Sequence, residues 1–406
     1  MGLRALPTLA LFVVSLGYGV VVPLLPELSG GAAATSAGVV SVVYAAYAAA
    51  KILCQAPGGA LVDARGALNV LKDALALFTV SLAGFLWNGG VAWFALVRAV
   101  EGAATGLVYP AVFALVASEG ASGKRLGTVV GVGTSGLLLG PVLGGTLGAQ
   151  SPRTAVAVAL LLAGAVTAWA LTVKNGDRRA FAKSPDAEGL EKARLSPFSS
   201  SDSEKARLSP FLAELGKMKA LVSDPAFLGL GLPIAFNKLT FSAFQGLIPL
   251  YGARELGLST RGITAMFALT GVLFGAFQAV GGALADRFDP RKVVLACTGP
   301  LIASLAVMAF AREWTLFTGA WAAYVSLSSV IFTCTLKNAA KAYGTEDTYG
   351  GVFGVLGTAT DLMTIVGPLL FLGIYGSSGT AVFPAMAVIG VPFALGFLVL
   401  GRRRAA

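Results

Sequence analysis

Apolar stretches of about twenty residues recur along the whole chain and are separated by short polar segments. A helix of this length spans the roughly 30 Å hydrocarbon core of a bilayer. Backbone groups in lipid must be satisfied within the protein, and these stretches are continuously apolar rather than alternating, so they predict helices rather than barrel strands. The pattern predicts an all-α polytopic membrane protein with twelve transmembrane helices, at residues 6–28, 36–61, 67–87, 91–117, 126–149, 154–173, 225–251, 262–285, 292–311, 314–339, 349–373 and 380–400.

Several features of the first six predicted helices recur in the last six at offsets of about 223 to 227 residues. A repeat at one period indicates an internal duplication. We therefore predict two pseudo-symmetric six-helix halves, an architecture that secondary transporters build around a central binding site. The matched positions are Pro23 with Pro249, Gly59 with Gly282, Asp63 with Asp286, and Gly140-Pro141 with Gly367-Pro368.

One long polar segment separates the two halves. The predicted organisation is an N-terminal bundle at 1–173, a disordered cytoplasmic linker at 174–224, a C-terminal bundle at 225–401 and a basic tail at 402–406. The linker contains the octapeptide EKARLSPF twice, from Glu191 and from Glu204. The repeat is either a recognition or phosphorylation element at Ser196 and Ser209, or a slippage duplication in an unconstrained segment.

Composition supports a membrane protein, because 56% of the 406 residues are hydrophobic and only 12% are charged. Most of the 30 basic residues fall in loops on one side of the predicted helices, which places both termini in the cytoplasm. We further expect a location in a bacterial inner membrane and a monomer in the lipid bilayer. The net charge of +10 does not indicate nucleic-acid binding, since the basic residues are not gathered on one soluble face.

The chain contains no histidine and only three cysteines, all within apolar stretches. This composition predicts neither a metal site nor a disulfide framework. The sequence also lacks a nucleophile–base pair and a cofactor cradle, and the GVGTSG segment lies inside a predicted membrane helix with no strand before it. We therefore expect no enzymatic activity and no cofactor.

Short motifs rich in glycine occur in the loops after the second and eighth helices, as GALVDARG and GALADRFDPRK, and in the fifth helix as GLLLGPVLGG. With these motifs the chain resembles the major facilitator superfamily, most nearly its twelve-span drug:proton antiporters. The resemblance implies alternating access, with the two loops acting as charge-paired cytoplasmic latches; a simple topogenic basic loop is the alternative. The residues implied in conformational change are Gly59, Asp63, Arg65, Gly140, Pro141, Gly144, Gly145, Gly282, Asp286, Arg287 and Arg291.

The fourth helix carries the family's R-x-x-q-G pattern as Arg98, Glu101 and Gly102, with Glu in place of the usual Gln. Residues three apart share one helix face. An unpaired charge in lipid costs a few kcal/mol, so both side chains are expected to face the bundle interior. The pair either takes part in transport or is a structural ion pair.

Few other charges lie well inside the predicted helices. Glu101 and Asp361 are the candidate proton carriers, since the chain has no histidine to carry a proton. Lys51, Arg98 and Lys238 are the basic counterparts, although Lys51 could instead extend toward the cytoplasm. The interior therefore has a net charge near +1, and its cations together with polar and aromatic neighbours are candidates to line a substrate cavity: Lys51, Arg98, Lys238, Tyr18, Tyr47, Tyr109, Asn237, Gln245, Gln278 and Tyr324.

Three functions fit these observations. The first is a proton-coupled antiporter that exports small amphipathic organic molecules, with protons and one small molecule as its partners. The second is uptake or exchange of organic anions by the same fold, which the positive interior favours. The third is a membrane receptor or scaffold that works through the central linker.

Overall fold

A computed structural model of the protein describes residues 3–28, 37–87, 89–120, 122–148, 151–173, 210–345 and 347–401. These residues are almost entirely helical, and no strand occurs among them. In this part of the chain, nine helical segments are long and apolar enough to cross a membrane, and Leu6–Val21 forms a shorter apolar helix. The prediction of an all-α membrane protein is confirmed.

The predicted apolar stretches correspond to the observed helices to within a few residues at most ends. The helices, numbered in chain order, are α1 Leu6–Leu28, α2 Ala37–Arg65, α3 Ala67–Gly84, α4 Gly90–Ser118, α5 Gly123–Gly148, α6 Pro152–Thr172, α7 Pro210–Ser223, α8 Pro225–Arg254, α9 Thr260–Arg287, α10 Pro290–Phe310, α11 Trp314–Tyr343, α12 Tyr349–Asp361, α13 Met363–Ser378 and α14 Val382–Leu400.

Two observations differ from the predicted pattern. The eleventh predicted helix is divided at Leu362 into α12 and α13. The last part of the predicted disordered linker forms α7, which buries Met218. The rest of the linker, 174–209, lies outside the described residues, as do both copies of the octapeptide except for the end of the second, and the basic tail 402–406.

The helices form two compact units. The first contains Met1–Ser122, Leu139–Leu221 and Tyr343–Val355, and the second contains Gly123–Leu138, Val222–Ala342 and Leu356–Ala406. The units therefore differ from the predicted halves, because α5 and α12 each contribute residues to both units.

Some helix contacts recur in both units. In the first unit α6 contacts α1 and α3, and in the second unit α14 contacts α8 and α10 in the corresponding way. In each unit a basic side chain donates a hydrogen bond to a carbonyl at the end of the last helix. Lys72 of α3 donates to the carbonyl of Val173 after α6. Arg291 of α10 donates to the carbonyl of Leu398 in α14 at 3.1 Å. Cations near helix C-termini are stabilising because carbonyls there lack helical partners.

Glycines of the predicted fifth and eleventh helices allow close helix approaches inside each unit. A methyl group added at Gly140 would overlap the backbone of Gly19 and the carbonyl of Leu16 in α1. One added at Gly367 would overlap the carbonyl of Leu239 in α8. Close helix approach at small residues is typical of membrane bundles, and here it occurs at matched positions of the duplicated sequence.

Candidate functional site

The first charged site lies in α4, where Arg98 Nη1 donates to Glu101 Oε2 at 2.6 Å. Both side chains are 0% exposed. Glu101 Oε1 has no hydrogen-bond partner among the described residues. The interior orientation expected for these two residues is what the structure shows, and the pair is sealed from solvent in this conformation.

Two tyrosine rings enclose the Arg98 guanidinium. Its Cζ atom lies 5.1 Å from the ring centroid of Tyr18 in α1 and 4.4 Å from that of Tyr47 in α2. The two rings are themselves 4.8 Å apart. A buried arginine gains from such cation–π contacts, which supplement the single carboxylate beside it. Gly102 allows α2 and α4 to lie this close together, because a methyl group on Gly102 would overlap the Tyr47 carbonyl.

Lys51 lies one helical turn after Tyr47 on α2. Its Nζ atom is 4.8 Å from the ring centroid of Tyr109 in α4. Lys51 and the three tyrosines are half-buried, in contrast to the sealed Arg98 and Glu101 beside them. Five of the predicted cavity residues thus form one cluster in the first unit.

The second charged site lies in the second unit, where Lys238 of α8 forms an ion pair with Asp361 at the end of α12. Lys238 Nζ also donates to Thr360 Oγ1 at 3.0 Å. The Lys238 side chain is 21% exposed and that of Asp361 4%. The pair is therefore partly exposed, and it joins two different helices.

Asp361 lies at the break between α12 and α13. The Thr364 hydroxyl donates to the Asp361 carbonyl at 2.6 Å, and the Thr360 hydroxyl donates to the Leu356 carbonyl at 2.8 Å. Such bonds from threonine to the preceding turn bend helices, and Pro368 removes a donor further along. Interrupted membrane helices often carry binding sites.

Polar residues around this pair connect α8 to α11. Asn237 Nδ2 donates to the Ser328 carbonyl at 2.8 Å, and the Ser328 hydroxyl donates to Asn237 Oδ1 at 2.6 Å. The Tyr324 hydroxyl is hydrogen-bonded to Thr240. These fully bonded, buried groups are rigid packing elements of the unit.

The remaining predicted cavity residues lie apart from both ion pairs. Gln278 of α9 accepts from the Thr333 hydroxyl through Oε1, while its Nε2 has no partner among the described residues. Gln245 of α8 is exposed.

The predicted latch aspartates bind helix N-termini. Asp63 at the end of α2 accepts from the amides of Gly350 and Gly351 at 2.7 and 2.6 Å, where α12 begins. The unpaired amides and the dipole of a helix N-terminus favour a carboxylate at that place. Gly59 allows this approach, because a methyl group on it would overlap the Gly350 carbonyl.

Asp286 at the end of α9 repeats this geometry in the second unit. It accepts from the amides of Gly123 and Lys124 at 2.7 and 2.8 Å at the start of α5, and it also pairs with Lys337 of α11. Gly282 allows the close approach here as Gly59 does in the first unit, since a methyl group on Gly282 would overlap the Gly123 carbonyl.

The other residues implied in conformational change make different contacts. Arg65 pairs with Asp73 at 3.1 Å, and both side chains are more than half exposed. Arg287 is exposed, and Arg291 caps α14. In α5, Gly144 is buried and Pro141 is exposed, while Gly145 lies in the helix.

A family model described as Major Facilitator Superfamily matches residues 8–277 and 234–406, which together cover nearly the whole chain. The chain belongs to the major facilitator superfamily. Among curated proteins, it is 30% identical over 146 residues to the quinolone resistance protein NorA of Staphylococcus aureus, a match that spans 35% of this chain and only 37% of NorA. It is 25% identical over 393 residues to the class G tetracycline resistance protein of Vibrio anguillarum, covering 93% and 92% of the two chains.

Solved structures share this major facilitator fold at low sequence identity. The human organic anion transporter MFSD10 (TETRAN) aligns with a TM-score of 0.74 at 19% identity, over 97% of this chain and 98% of that one. The proton:xylose symporter XylE aligns with the same TM-score at 16% identity, over 98% and 95%. At such identities the likeness shows the fold alone.

Sequence reasoning did not identify several residues of this major facilitator chain that complete the sites. Gly350, Gly351, Gly123 and Lys124 contribute through backbone amides, which no side-chain pattern reveals. Lys337 pairs with Asp286 from a different helix, which the sequence pattern around either residue does not reveal. Thr360 precedes Asp361 directly, so a search for polar residues next to an intramembrane carboxylate would have found it.

Proposed function

We propose that this protein exports small amphipathic organic molecules in exchange for protons by alternating access. The observation that supports the proposal is the Lys238–Asp361 pair, which joins two helices at the end of one of them and is partly exposed. The names of two relatives, which refer to quinolone and tetracycline resistance, are consistent with export of such compounds.

Asp361 is the proposed proton carrier. A low-dielectric surrounding disfavours the charged carboxylate, whereas a nearby ammonium favours it. If α8 moves away from the end of α12, Asp361 loses Lys238 and binds a proton. When the two helices approach again, the ammonium displaces the proton. Glu101, the other predicted carrier, shares its helix with Arg98 and cannot be separated from it by helix movement, so we assign it the role of holding Arg98.

The two aspartate–helix contacts serve as the proposed latches. Asp63 holds the start of α12 and Asp286 the start of α5, and both of those helices contribute residues to both units. Release of either carboxylate exposes helix amides that water must then satisfy. One conformation of the proposed transport cycle therefore has both aspartates bound to the amides of these helix N-termini.

Asp361→Asn tests the carrier assignment. In everted membrane vesicles with an imposed pH gradient, this variant should reduce gradient-driven accumulation of a quinolone or a tetracycline by at least about tenfold, because a proton relay is lost. Exchange of labelled for unlabelled compound without a gradient should persist, since it requires no proton. Glu101→Gln is the matched control and should retain gradient-driven transport. Undiminished gradient-driven transport by Asp361→Asn would remove Asp361 as the carrier.

A second candidate function is transport of organic anions. The charges that fall well inside the predicted membrane helices are three cations, Lys51, Arg98 and Lys238, and two carboxylates, Glu101 and Asp361. Uptake assays in proteoliposomes with anionic and cationic compounds of equal size would separate this candidate from cation export.

We also infer a location in the bacterial inner membrane with both termini in the cytoplasm and a monomeric state. The excess of basic residues in the loops on one side and the bacterial relatives support this location. Accessibility labelling of single cysteines placed at Arg65 and Arg312 tests the orientation, because only the second should react from outside the cell.

A further inference from the structure

A glutamine precedes each of the two proposed latches at the same distance. The segments QAPGGALVD and QAVGGALAD begin at Gln55 in α2 and at Gln278 in α9, at the offset that the latch aspartates Asp63 and Asp286 share. Residues four apart lie on one face of a helix, so the glutamine, the glycine and the aspartate of each segment form one stripe. The duplication thus places a polar side chain about two helical turns from each latch.

Each glutamine packs against the helix whose N-terminus the aspartate of its segment holds. A methyl group added at Gly354 of α12 would lie 2.7 Å from the carbonyl of Gln55. A methyl group at Gly127 of α5 would overlap the carbonyl of Gln278, and one at Gly131 would lie 3.3 Å from the Gln278 Cβ atom. The contact between α2 and α12 therefore continues from the latch to Gln55, and the contact between α9 and α5 continues from the latch to Gln278.

Both glutamines are buried, and each has an amide atom without a hydrogen bond. Gln55 is 3% exposed and Gln278 is 0% exposed. In the part of the chain that the structure describes, Gln55 Oε1 and Gln278 Nε2 have no partner, although Thr333 donates to Gln278 Oε1. Turning the Gln278 amide over would change which atom is bonded and would still leave one atom without a partner. A buried polar group without a partner destabilises the conformation that contains it.

From this repeat we infer that Gln55 and Gln278 are positioning residues of the conformational cycle, which lower the free energy needed to open the latches. When α12 moves away from α2, or α5 from α9, water reaches the amide and satisfies it. The latch aspartate stabilises the described conformation, whereas the buried amide destabilises it. Two conformations that interconvert must lie within a few kcal/mol of each other, and these opposing contributions keep them close.

The inference rests on the proposed alternating access and adds two residues to it. It concerns the opening of the helix contacts and not the transfer of a proton. Its test therefore requires neither a substrate nor a pH gradient.

Hydrogen–deuterium exchange of the purified full-length protein in detergent measures this opening. The amides of Gly350 and Gly351 are bonded to Asp63, so they exchange when the first latch opens. Gln55→Met keeps the length of the side chain and its helix propensity and removes the amide. We expect exchange in a peptide that contains Gly350 and Gly351 to slow by at least about fivefold, because the bonded conformation no longer contains an unsatisfied group. If Gln55→Met does not fold, Gln55→Leu makes the same test.

The second latch allows the same measurement at the amides of Gly123 and Lys124, which are bonded to Asp286. The double variant Gln278→Met/Thr333→Val removes the amide together with the hydroxyl that donates to it. Exchange in a peptide that contains Gly123 and Lys124 should slow by a similar factor.

Thr318→Val is the matched control. The Thr318 hydroxyl is also buried without a partner among the described residues, but it lies near the start of α11, about 28 Å along the helix from Lys337. This variant should gain stability in the same way as the glutamine variants, which a melting temperature shows. Exchange at both helix N-termini should stay as in the unmodified protein.

Unchanged exchange at both helix N-termini in folded glutamine variants, or equal slowing in Thr318→Val, would overturn the inference. The proposed function fails in a different way, through unimpaired gradient-driven transport in Asp361→Asn. Slowed exchange in Gln55→Met together with that result would keep the positioning role and remove the proton assignment.

Discussion

The two intramembrane ion pairs differ in how the chain holds their members. Arg98 and Glu101 lie three residues apart on α4 and are 0% exposed. Lys238 and Asp361 lie on α8 and α12, 123 residues apart, and the lysine is 21% exposed. Helix movement cannot change the distance within the first pair, whereas it directly changes the distance within the second. A pair on one helix therefore suits a structural role, and a pair between helices suits a conformational cycle.

The surroundings of the pairs lead to the same distinction. The first pair is supported by two tyrosine rings that pack closely around it, and Gly102 admits the backbone of α2. The second pair lies at the end of α12 and is partly exposed, while threonine hydroxyls donate to helix carbonyls beside both pairs. Packing thus encloses the first pair more completely than the second.

Glu101→Ala should have the largest effect, and it acts on stability. The substitution leaves the Arg98 guanidinium buried without its carboxylate, and breaking a buried pair in this way costs about 3–5 kcal/mol. Thermal unfolding in detergent should show a much lower melting temperature, or no folded protein. Glu101→Gln keeps an oxygen acceptor for Arg98 and should lose much less. If Glu101→Ala melts like the unmodified protein, the first pair is not structural.

Lys238→Gln should have an intermediate effect. It should lower both the stability of the protein and its gradient-driven transport. Asp361 is only 4% exposed and holds a proton once the lysine is gone, so no unpaired charge is left in the interior and the loss of stability should be smaller than that of Glu101→Ala. Gradient-driven transport should fall strongly, because nothing then displaces the proton from Asp361. The double variant Lys238→Gln/Asp361→Asn, which is neutral, should melt close to the unmodified protein. A melting temperature for Lys238→Gln as low as that of Glu101→Ala would mean that the two pairs do not differ.

The scaffold was predictable from sequence because its determinants are local and repeated. Gly59 with Asp63 and Gly282 with Asp286 each form a short motif, and the fixed offset between them identifies the duplication. The apolar stretches are long enough to mark the helices without knowledge of their neighbours. Small residues at a close helix approach, such as Gly140, likewise belong to a pattern within one helix.

The two charged sites were less predictable, because their residues are not repeated in the other half of the sequence. Neither Arg98 and Glu101 nor Lys238 and Asp361 have charged counterparts at the matching positions of the other half. The pairing of Arg98 with Glu101 follows from their spacing, but that of Lys238 with Asp361 depends on how α8 packs against α12. The break after Asp361 also went unpredicted, since an apolar pattern runs through it without interruption.

Thr364→Val should have the smallest effect and tests the role of the helix break. The substitution removes the hydroxyl that bonds to the Asp361 carbonyl and retains the shape of the side chain, so the helix can straighten at this point. Stability should change by less than about 1 kcal/mol, while the rate of gradient-driven transport should fall by roughly twofold to fivefold. Thr298→Val is the matched control, because Thr298 makes the same type of bond to the Val294 carbonyl in α10, at 2.7 Å and without an ion pair beside it. Transport in Thr298→Val should remain unchanged. Equal losses in the two variants would show that the threonine bond matters only for packing, and that the mobility of the second pair has another origin.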